Sequence, residues 1–88
     1  MKIKPKLKVG GNVFDVVFVP GEAIEGGVAE VDRDKNLIMI SQNLAKSQQE
    51  VAYFHEILHC INWEKSEEET EFMAQSLYAV LKDNGMLR

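Results

Sequence analysis

The chain has 88 residues and a mass of 10.0 kDa, with 45% hydrophobic and 27% charged residues, which fits a single globular domain spanning 1–88 and leaves no room for two. Fourteen acidic against ten basic side chains give a net charge of −4, which argues against a nucleic-acid or anionic-membrane binder, because such proteins collect Lys and Arg on one face. The single Cys60 cannot form an internal disulfide, and no apolar run has the length of a signal peptide or membrane span, so the expectation is a cytoplasmic protein.

In the first nine residues Lys2, Lys4, Lys6 and Lys8 interleave with Ile3, Pro5, Leu7 and Val9. A period of two puts ammonium groups on one face of a strand and apolar groups on the other, and Pro5 confines that strand to a sheet edge. The Lys ladder then protects an edge rather than forming a basic binding arm. Gly10-Gly11-Asn12 marks a tight turn into Val13–Val19, so these two runs form a hairpin. Pro20-Gly21 and Gly26-Gly27 bound a loop. Val28–Val31 and Leu37–Ser41 are short β-type runs flanking the polar turn Asp32-Arg33-Asp34-Lys35-Asn36. That turn lacks the Gly and terminal Glu of a calcium loop.

From Ser47 the hydrophobic period becomes 3.6. Ser47-Gln48-Gln49-Glu50 has the form of a capping box, and the helix it opens runs to about Asn62, with apolar residues nearly all the way round, as in a central element buried on several sides. Ser66-Glu67-Glu68-Glu69 is a second capping box, opening a helix that Asn84-Gly85 ends. Only a few residues around Trp63 separate the two, so they fold back on each other. The expected fold class is α+β: a small antiparallel or mixed sheet of three to four strands, then two helices.

Both histidines fall in His55-Glu56-Ile57-Leu58-His59. Residues four apart share one helix face, so the two imidazoles converge where a divalent metal can sit, with the Glu56 carboxylate close by. Two His and a Glu interrupting an otherwise apolar helix carry a desolvation cost of several kcal/mol unless they share a partner, which weighs against satisfied core histidines. A catalytic Zn²⁺ site takes three protein ligands and keeps one open position. Cys60 follows a ligand by one residue, about 100° round the helix, and reads as a small buried apolar group. The third ligand is therefore a carboxylate from the next helix. Glu67, Glu68 and Glu69 occupy its first turn, where negative charge complements the helix dipole and Glu69 serves the cap. Of these and Glu71, Glu71 is favoured, being on a stripe with Ala74 and Tyr78 that can face the first helix; Glu68 and Glu69 remain alternatives.

The His55–His59 pattern, the short turn, the acidic helix with Glu71, Ala74 and Leu77, and the tail from Tyr78 to Asn84 resemble the small zincin-like metallopeptidases of phages and prophages, similar in pattern to ImmA/IrrE-like and gluzincin peptidases. The resemblance covers about Tyr53 to Asn84 and, more loosely, the β-rich first half. It implies a minimal zincin with one Zn²⁺ held by His55, His59 and Glu71, and Glu56 as general base. The function expected is hydrolysis of a peptide or protein through a zinc-activated water, with substrate along the edge strand Val28–Val31 or Leu37–Ile40. Tyr53 and Tyr78 are candidates for stabilising the transition state, though core packing is the commoner use of such aromatics. The competing expectations are a zinc-stabilised, non-catalytic interaction or regulatory module, a metal-free domain, and a regulator that cleaves one partner such as a repressor.

Overall fold

In the computed structural model, residues 1–87 are described. The chain is α+β: four strands, β1 (Lys6–Val9), β2 (Asn12–Val19), β3 (Ala29–Asp32) and β4 (Leu37–Ser41), are followed by two helices, α1 (Lys46–Ile61) and α2 (Glu67–Asp83). A single 3-10 turn, Gly21–Ala23, lies in the β2–β3 connection.

The first hairpin forms as the alternation and the glycines predict. Val9 pairs with Asn12 across a two-residue loop, and Gly10 takes φ 59°, a conformation that costs glycine no Cβ clash. β1 is an edge of the sheet, and Lys6 pairs with Asp15 across the strands at 2.7 Å. The second hairpin is also present. The Asp32 carboxylate accepts the N–H groups of Asp34 and Lys35 and closes the β3–β4 turn.

The sheet is mixed rather than purely antiparallel, with order β1-β2-β4-β3. β4 lies parallel to β2, and β3 turns back antiparallel along the outer side of β4. The connection after Val19 crosses to the far edge before returning, so Leu37–Ile40 is an inner strand and the free edge on that side belongs to β3. Leu37–Ile40 is thereby removed as a substrate edge, because its backbone groups are spent on both neighbours.

One sheet face is covered by α1. Phe14, Val16, Ile38 and Ile40 pack with Ala52, Tyr53 and Cys60, and both isoleucines are fully buried. Cys60 is buried and free, the small apolar role expected of it. α1 is not buried on every side, however, since Ile61 is 65% exposed.

The start of α1 differs from expectation. Lys46 is its first residue and Ala45 its N-cap, with the Gln48 side chain accepting the Ala45 N–H at 3.0 Å. Ser47 therefore lies inside the helix. Glu50, expected in a capping box, is buried against α2 instead. The second cap forms as expected: Ser66 Oγ accepts the Glu69 N–H at 3.1 Å and donates to the Glu69 carboxylate. Thr70, Ala74 and Tyr78, four residues apart, are the buried stripe of α2, and the absent side-chain bulk at Ala74 lets the helices approach. Tyr78 Oη donates to Glu50 at 2.6 Å, and the Met1 ammonium lies 3.4 Å from the same carboxylate.

Candidate metal centre

The buried side of α1 carries Ala52, Tyr53, Glu56 and Cys60. One step round the helix, His55 and His59 occupy successive turns, and each side chain is largely buried. The turn at 62–66 returns the chain so that the first two turns of α2 pass beside them. Glu67 and Glu71, also four apart, are the side chains α2 presents there.

His55, His59 and Glu67 lie close enough to bind a metal ion: one ligand atom from each falls within 4.8 Å of the others. His55 Nε2 and His59 Nε2 are 3.0 Å apart. The Glu67 carboxylate straddles them, with one oxygen 3.2 Å from His55 Nε2 and the other 2.6 Å from His59 Nε2. Two imidazole nitrogens at such a separation cannot both turn bare lone pairs on each other; a shared proton or a cation must lie between them. The donor atoms also fit a small divalent ion, since tetrahedral ligands at about 2.0–2.1 Å stand roughly 3.3 Å apart. Among the described residues no fourth His, Cys or carboxylate joins within the same radius, and Glu67 is exposed, so the cluster faces solvent on its α2 side.

Glu71, the expected third ligand, meets the other nitrogen of the same histidine. Its Oε1 is 2.7 Å from His55 Nδ1, and its Oε2 accepts from Gln75 at 2.6 Å. A proton held on Nδ1 and donated to Glu71 leaves the lone pair of His55 on Nε2, facing the cluster. The bond from Gln75, and after it the His55 ring, hold the Glu71 carboxyl below its ordinary range despite partial burial. Of the alternatives, Glu69 is engaged with Ser66 and lies 3.8 Å from Lys65, and Glu68 is exposed. The signal that could have raised Glu67 is its spacing, because residues 67 and 71 fall on one helix line.

Glu56 is only 5% exposed. Burial pushes its carboxyl up to about 7, the nearby carboxylates of Glu67, Glu30 and Glu71 push the same way, and His55 opposes them. A carboxyl titrating there can both take and return a proton near neutral pH. The two tyrosines considered for the reaction have structural places. Tyr78 is bonded to Glu50, and Tyr53 is buried in the core.

Comparison with family models, with curated proteins and with solved structures finds no match for this chain. Among the described residues no helix is long and apolar enough to cross a membrane.

Proposed function

We propose that the protein is a zinc-dependent peptidase of minimal zincin type, in which His55, His59 and Glu67 hold the metal, Glu71 orients His55 and Glu56 is the general base. The observation that carries this is the convergence of two imidazole Nε2 atoms and a carboxylate on one point, with the buried Glu56 next to His55 on the same helix. When bound, Zn²⁺ supplies a Lewis acid that polarises a peptide carbonyl and makes water acidic enough to lose a proton near pH 7. The protein's own part is proton management and positioning. Glu56 accepts the proton of the attacking water and delivers it to the departing amine. Glu71 keeps the His55 proton on Nδ1, so that Nε2 stays a donor of electrons. β3 is an edge strand of the sheet packed against α1, and an extended substrate can add to it through main-chain hydrogen bonds. Resemblance to the phage zincin-like peptidases points the same way.

The test is cleavage of a mixed peptide pool by protein supplied with one equivalent of zinc, read by mass spectrometry. Wild type is expected to cut and Glu56→Gln to retain zinc without cutting; equal cleavage by both refutes the assignment of the base. A second reading, a zinc-stabilised interaction module, is favoured by one observation: the cluster bridges α1 and α2 in a small domain. It predicts zinc binding with no cleavage by either protein.

A further inference from the structure

A cleft of about 670 Å³ lies beside β3, between the β3–β4 turn and the interhelical turn. Its walls include Glu30, Asp32, Asp34, Arg33, Met39 and Trp63. Three carboxylates against one guanidinium make it acidic. Among the described residues no ion pair reaches Glu30, Asp32 or Asp34, so their charge is uncompensated apart from Arg33. The wall formed by Trp63 already holds a cation: the Arg33 guanidinium sits 4.1 Å from the centre of the indole ring. The chain's own side chain thus shows the chemistry this wall accepts. The helix that carries the histidine pair, α1, packs across β3, whose Glu30, Val31 and Asp32 line the cleft.

We propose that this cleft selects extended peptides carrying Lys or Arg close to the bond to be cut, an assignment that rests on the peptidase reading. The peptide backbone pairs with the free edge of β3. Its cationic side chains reach Glu30 and Asp34, beside the Arg33–Trp63 pair. Acidic peptides are rejected by the same carboxylates, which gives discrimination by repulsion as well as attraction. Lys and Arg side chains meet this surface through long-range attraction, so association weakens as salt rises.

Trp63 is the only tryptophan, and its emission reports occupation of the cleft without any turnover. Glu56→Gln protein in zinc-containing buffer is titrated with a blocked ten-residue peptide alternating Ala and Lys, and separately with its Ala-Glu counterpart. The Lys peptide is expected to give a saturable change at least tenfold tighter than the Glu peptide, weakening between low and high salt. Adding Glu30→Gln and Asp34→Asn, which spare the turn-closing Asp32, is expected to cost at least fivefold. Equal binding of the two peptides, no binding of either, or indifference to Glu30→Gln and Asp34→Asn overturns the proposal. Cleavage sites in the mixed pool separate it from the reading beneath it. A pool cut by wild type with no enrichment of Lys or Arg overturns the selectivity and leaves the peptidase standing. Selective binding with no cleavage by wild type overturns the peptidase and leaves the cleft's preference intact.

Discussion

Glu71 grips His55 from behind: its carboxylate lies 2.7 Å from Nδ1 while Nε2 of the same ring faces His59 and Glu67. Two carboxylates of one helix therefore meet a single imidazole, one within the cluster and one at the ring's far nitrogen. Replacing them should have unequal effects. Glu71→Gln is expected to weaken zinc about 10- to 100-fold, the usual consequence of losing a partner behind a ligand, and Glu67→Ala to weaken it further. Competition with a chromophoric chelator measures both; the reverse order would exchange their roles.

Glu56→Gln should preserve zinc affinity and lower the hydrolytic rate by about 10²- to 10⁴-fold, the ordinary span of general acid–base catalysis. Steady-state assays on one cleaved peptide, with zinc content checked alongside, distinguish this from loss of metal.

Zinc should stabilise the fold. At free zinc a hundredfold above its dissociation constant the gain is about 2.7 kcal/mol, which for a domain of 88 residues corresponds to roughly 10–20 °C in Tm. Calorimetry with and without chelator reads this directly, and the gain should shrink in Glu67→Ala.

Glu50 ties the helices together from the other end. Burial alone would raise its carboxyl, but the Tyr78 hydroxyl, the Met1 ammonium and Lys46 together hold it below its ordinary value of 4.5. Because the folded value is depressed, the contribution is fully present above the unfolded value near 4.5 and is lost as pH falls through the folded one. Tyr78→Phe is expected to cost about 1 to 2 kcal/mol at pH 7 and less below pH 4. Urea unfolding at the two pH values measures the difference; a constant deficit would mean that the hydroxyl, not the charged carboxylate, carries the effect.

The histidine pair was legible in the sequence because a spacing of four on a helix has only one geometric outcome. The choice among carboxylates was not. Glu67 and Glu71 lie on one line of α2, and periodicity cannot say which stands level with His59. That depends on how far α2 slides along α1, which the turn at 62–66 and the Ser66 cap determine together. The same limit applies to the start of α1. Ser47 and Glu50 have the cap pattern, yet Gln48 bonding back to Ala45 begins the helix earlier and leaves Glu50 to meet Tyr78. In the sheet, alternation identified the strands. It carried no information on the crossing that sets β4 parallel to β2.

The two histidines and the two carboxylates bonded to them all come from helices, as two pairs with the same spacing, 55 with 59 and 67 with 71. The centre is thus a property of a helical hairpin, indifferent to loop architecture elsewhere. Residues added at Gly10-Gly11 lengthen a distant turn and leave it untouched. A single residue added between 62 and 66 shifts one pair against the other and dismantles it. In a lineage carrying this hairpin, the sheet's outlying turns are free to drift in length, whereas the five residues joining the helices are not.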